Sequence, residues 1–121
     1  MFEALHLVDI EEDAATGSPS SISAARGYRP TDLQALAEIG YHYYRAGGLR
    51  LAEVIFEGLV AIEPNEAYFA LALGLVREHL GHRDDARAMF ERAARLDPTD
   101  PHAELNLAEI ALAERRMRDA E

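Results

Sequence analysis

The chain has 121 residues, enough for one domain with a modest core, and no cysteine, which excludes disulfide frameworks, thiolate metal sites and cysteine nucleophiles. Its formal charge is −10 and all 12 basic residues are arginine, so the overall field opposes nucleic acid and anionic lipid alike. The uncharged apolar runs are too short to span a membrane, and "MFEALHLVDI" carries acids where a signal peptide needs a basic start, which makes a cytoplasmic location the expectation.

Residues 1–13 are apolar at Phe2, Leu5, Leu7, Val8 and Ile10 and then run into "EEDAATGSPSS". Gly17, Pro19 and the serines form a linker that cannot bury enough surface to fold, so residues 1–30 are expected to be a flexible extension. Two readings of the first segment stand side by side. It is a frayed tail, or a short amphipathic stretch that docks on this chain or a second copy, with Phe2, Leu5 and Val8 as the dimerisation candidates. An apolar tag on an acidic tether is otherwise hard to rationalise in a soluble protein. Folded structure is expected from "RPTDLQALAEIG". There Thr31 and Gln34 have the form of a capping box, and Asp32 lies in the first turn, where the helix dipole favours an acid.

In "LAEVIFEGLVAIEP", residues 51–64, Leu51, Val54, Ile55, Leu59 and Ile62 fall at helical spacing, with Ala52, Phe56 and Val60 on a neighbouring stripe. A helix apolar on two stripes is expected to be buried on two sides. Moving forward 34 residues brings "DARAMFERAARLDP" (85–98) under it. Ala52 then pairs with Ala86, Phe56 with Phe90, Pro64 with Pro98, Gly40 with Gly74 and Gly47 with Gly81. That is the period of the tetratricopeptide repeat, and the chain resembles that family at its signature positions. These are Leu36, Ile39, Gly40, Tyr43, Ala52, Phe56 and Pro64, then Leu73, Gly74, Ala86, Phe90, Ala93 and Pro98.

The resemblance implies an all-α fold, a right-handed superhelix of antiparallel helix pairs in about two and a half units. The repeat domain would run over 31–121, as units 33–66, 67–100 and a partial 101–121. In each unit glycine lets the two helices approach, alanine sits where they cross, phenylalanine fills the wedge, and proline stops the second helix. The next unit's first helix would cover the remaining face of the second helix. The third unit starts with Asp100 as N-cap and Pro101 at the first helical position. Leu107 and Ala108 take the Leu and Gly positions, and Ala120 lies one period after Ala86. The chain is therefore expected to stop just inside a further helix: either it is truncated there, or the exposed face is covered by a second copy, the "FEALHLVDI" segment or a partner protein.

His79 and His82, beside Glu78, Asp84 and Asp85, are the only close histidine pair. Their spacing suits a metal on a helix, but Gly81 ends the helix between them, so a polar turn is the expectation. The acids spread as solvated helix faces rather than pairing in a cleft. No Gly-rich phosphate loop is present, and Ser18, Ser20, Ser21 and Ser23 lie in the linker without a partnered histidine. No enzymatic activity, metal or cofactor is expected.

By the geometry of the repeat, the first helices line a concave groove with Gln34, Ala37, Tyr41 and Tyr44, then Tyr68, Leu71, Leu75 and Glu78, then His102, Leu105, Glu109 and Leu112. Tyr43 falls instead on a core position. The groove carries no basic ring of the kind that tetratricopeptide clamps use for acidic chaperone tails. It suits an extended peptide with apolar anchors, contacted by Ala37, Tyr41, Tyr44, Tyr68, Leu71, Leu75, Leu105 and Leu112. Two or three Leu-sized anchors, at roughly 1.5–3 kcal/mol each before ordering costs, give micromolar-type binding. The alternative is that the tyrosines merely pack against neighbouring helices.

A narrower likeness rests on Gly40-Tyr41-x-x-Tyr44, the "LGLVREHLG" turn and Ala108–Glu109, within residues 30–121. These resemble the class II chaperones of bacterial type III secretion systems. The resemblance implies a cytoplasmic, non-catalytic protein whose groove holds a Leu/Pro-containing segment of a translocator or other export substrate. By it Tyr41, Tyr44, Tyr68, Leu71 and Leu75 become groove residues, and the first segment a homodimer contact. The competing expectation is a generic scaffold in a multiprotein assembly that binds through its exposed terminal helix.

Overall fold

The computed structural model describes residues 27–120. Among them are five helices and no strand: α1 (Pro30–Ala46), α2 (Leu49–Ile62), α3 (Ala67–His79), α4 (Arg83–Leu96) and α5 (Pro101–Asp119). The all-α expectation holds. Phe2, Leu5 and Val8 lie outside the described residues. The chain divides into two compact units at Pro64 and Asn65, one carrying α1 and α2, the other α3, α4 and α5.

In the first unit, Pro30 has no N–H to lose and a φ already set for a helix, so it occupies the first helical position. That moves the start ahead of the expected Thr31 cap, and no capping box forms between Thr31 and Gln34. Arg29 is the N-cap instead: Asp32 Oδ2 accepts its backbone N–H at 3.1 Å, and Oδ1 accepts Nη2 at 3.1 Å. Gln34 turns inward, 3% exposed, with its Oε1 unpartnered. At the other end Gly47 adopts φ +89°, a left-handed conformation that side chains resist, and the chain reverses into α2. Gly40 lets the pair close: a Cβ there would lie 2.9 Å from the Phe56 ring and 3.0 Å from Ile55.

Ala52 and Phe56 of the second stripe are buried and Val60 is half-buried, while Leu59 of the first stripe is buried too. Two-sided burial of residues 51–64 fails, however, at Leu51 and Val54, which are 54% and 67% exposed. Leu36, Ile39 and Tyr43 on α1 are exposed as well. Among the described residues of this unit α2 has only α1 to pack on, and these side chains on one side of the pair stay exposed. Tyr43, expected in the core, lies over Gly48, whose added Cβ would stand 3.3 Å from its ring.

The second unit repeats the device and adds a third helix. Gly81 takes φ +86°, and a Cβ on Gly74 would fall 2.6 Å from the Phe90 ring. One core gathers Ala70 and Leu71 of α3, Ala86, Phe90 and Ala93 of α4, and Ala103 and Ile110 of α5. The Asp100 side chain accepts the His102 N–H at 3.0 Å and Pro101 follows at the first helical position, as expected.

The end of α5 departs from the expectation. Counting one period from Gly47 and Gly81 reaches Arg115. An L-residue in the left-handed conformation costs about 1–2 kcal/mol, so no turn forms and the helix runs on to Asp119. Ala120 is its C-cap rather than part of a further helix. The last turns are tied to α4 by Arg83 with Met117, and by Arg87, which bridges Asp84 at 2.8 Å and Glu114.

Candidate functional site

The residues expected to face a guest divide by environment. On α1, Ala37 is buried, while Tyr41 and Tyr44 are half-buried with stacked rings whose centroids lie 6.4 Å apart. The Arg45 guanidinium stands 5.8 Å over the Tyr41 ring, a cation–π contact on the same helix. On α3, Tyr68 and Leu71 are buried and Leu75 is half-buried against the second unit's core. Ala37, Tyr68 and Leu71 are thus almost inaccessible, against the groove contacts expected of them, and Leu71 belongs to the core that α3, α4 and α5 build together. On α5, Leu105 and Leu112 are 59% and 49% exposed.

The half-buried Leu75 lies three residues before Glu78 on α3, and Glu109 lies between Leu105 and Leu112 on α5. Burial first, and then the Glu109 carboxylate, hold the Glu78 carboxyl above its ordinary value, against the opposing pull of His79 and Arg83. The pairing across the helices was not legible from single positions, although both residues stood on the expected face. The second unit therefore presents apolar side chains beside two acids, which favours Leu-sized anchors and disfavours an acidic guest.

The histidine pair does other work. His79 Nδ1 donates to the Leu75 carbonyl at 2.9 Å, and His82 is the N-cap of α4. Among the described residues no three His, Asp or Glu side chains gather as a metal site would need. No helix among them is long and apolar enough to cross a membrane.

Residues 69–110 match the sequence model of the tetratricopeptide repeat. Over that stretch the fold is that of the tetratricopeptide repeat. Among curated proteins, this repeat chain is similar to the low calcium response locus protein H of Yersinia pestis, 26% identical over 89 residues, covering 74% of this chain and 53% of the relative. It thus spans about half the length of the curated relatives it matches. Among solved structures, it resembles the type III secretion translocator chaperone SycD of Yersinia enterocolitica, with TM-score 0.76 and 23% identity, covering 84% of this chain and 75% of that one. It also resembles PcrH, solved in complex with the chaperone-binding region of PopD, with TM-score 0.70 and 29% identity, covering 72% of this chain and 65% of that one.

Proposed function

We propose that this repeat protein is a non-catalytic chaperone of the type III translocator class, holding an extended, apolar-anchored segment of an export substrate in the bacterial cytoplasm. The observation that carries the reading is the apolar surface of the second unit, with Leu75 half-buried and Leu105 and Leu112 exposed at positions expected to face a ligand. The likeness to PcrH, solved with its PopD segment, supports the choice of guest. Tyr41 and Tyr44 of the first unit, half-buried with stacked rings, are of a chemistry that suits the same class of ligand.

The test uses the full chain and a fluorescent peptide copy of the PopD chaperone-binding region. Leu75→Glu and Leu105→Glu should each weaken binding at least about tenfold, the consequence of losing one apolar anchor, with helicity unchanged by circular dichroism. Unaltered affinity in both variants rejects the proposal.

The scaffold reading draws on Met117, 56% exposed near the end of α5. It requires Met117→Glu, rather than Leu75→Glu, to abolish capture of the partner.

A further inference from the structure

Along α1 the exposed Leu36, Ile39 and Tyr43 recur at three- and four-residue spacing, and Leu51 and Val54 are exposed on the first half of α2. Both stripes border the seam of the pair. Gly40, beside Ile39, is in close contact with Ile55, beside Val54. Gly58, one turn past Val54, is exposed, and a Cβ built there meets nothing within 4 Å. The result is an apolar surface with a low point at Gly58, where a further helix can approach closely. A contiguous exposed apolar face of this kind marks a docking surface.

Three features of the same chain point to its occupant. Residues 1–13 carry Phe2, Leu5 and Val8 at a spacing that brings them to one side of a helix. Their charged residues, Glu3, Asp9, Glu11, Glu12 and Asp13, are all acidic. The exposed Arg45 and Arg50 lie at the turn between α1 and α2, and Arg50 is only loosely paired with Glu53, at 3.8 Å. The stretch 14–29, of Gly/Ser-type composition, would span about 22 Å root-mean-square. That distance is close to the length of α1, about 25 Å at 1.5 Å per residue. A tether matched to its span places the segment at an effective concentration near the millimolar range. A second copy has no such advantage and approaches against a like charge of −10.

We propose that residues 1–13 dock in cis on the face formed by Leu36, Ile39, Tyr43, Leu51, Val54 and Gly58, covering the first helix pair of their own chain. The homodimer implied by family resemblance is the competing occupancy.

The chain has no cysteine, so Ala4→Cys gives a single site for a nitroxide spin label in the full-length protein. In the isotope-labelled, spin-labelled chain the amide signals of Leu36, Ile39, Leu51, Val54 and Gly58 should be lost, and should return when the nitroxide is reduced. Adding Leu5→Asp with Val8→Asp should restore them and leave the other amide signals in place. Gly58→Trp, which fills open space, should also release the segment. A mixture of isotope-labelled chain without the nitroxide and spin-labelled chain without isotope should show no loss. Loss in that mixture would give the face to a second copy and overturn the proposal. Loss confined to another surface, or none at all, would overturn it equally.

Discussion

The two helix pairs share one packing device and differ in what it achieves. In α1/α2 and in α3/α4 a glycine meets a phenylalanine ring, and a left-handed glycine turns the chain. Yet α3 is buried without a break from Tyr68 to Gly74, whereas α1 leaves Leu36, Ile39 and Tyr43 exposed. The second unit has α5 to complete a core around Phe90 and Ile110. The first has no third helix of its own among the described residues. The motif closes a pair; burial of the pair's outer sides needs another element, as the physics of stacked repeats requires.

The largest test of that difference is truncation of the two rings. Phe90→Ala should cost about 3–5 kcal/mol, and Phe56→Ala should fall toward the lower end of that range. Both rings are fully buried, but among the described residues the first unit has two helices where the second has three, so fewer packed neighbours hold the space around Phe56 open. Urea denaturation of the full chain measures both, and a larger loss at Phe56 breaks the comparison.

A smaller effect separates the glycines. Gly74→Ala forces a methyl group into a fully buried ring and should cost about 1–3 kcal/mol through overpacking. At Gly40 the approach is a few tenths of an ångström more generous, and alanine's helix preference of up to about 1 kcal/mol offsets the strain. Gly40→Ala should therefore be near neutral in the same denaturation experiment.

The smallest effect lies at the acid pair of the second unit. Glu78 is held above its ordinary value in the folded chain, by burial first and then by Glu109. Its charged form is thus penalised by folding. Its contribution is most favourable below the ordinary carboxyl value and is lost as pH rises through the raised one. Glu78→Gln should be more stable than the parent at neutral pH, and the gap should close in acid. Thermal melts across that range check it; a gap that widens in acid contradicts the sign.

Much of this fold is written in residues whose chemistry leaves little choice. Gly40 and Phe56, or Gly74 and Phe90, declare a helix crossing because a side chain on the glycine would collide with the ring. Asp100-Pro101 declares a helix start because one caps and the other needs no donor. The groove was less legible. Position within the repeat put Leu71 on the ligand-facing stripe, but whether a stripe faces solvent depends on how far a later helix closes over it. The start of α1 was misplaced because Pro30 outranks Thr31 as a starting signal. The exposure of Leu51 and Val54 is not legible in the sequence, because an apolar stripe looks the same whether or not something covers it.

The missing glycine at position 115 has a consequence for motion. Beyond Ile110 no residue of α5 is buried, so the helix continues there on its own backbone hydrogen bonds and on Arg83 and Arg87 reaching across from α4. Those links join side chains near the surface, and the ionic one weakens with added salt. Backbone amides past Ile110 therefore open turn by turn, independently of the core, on a gradient that ionic strength steepens. One arginine in place of a glycine has turned what would be a corner of the fold into a straight run of helix held by salt-tunable surface links.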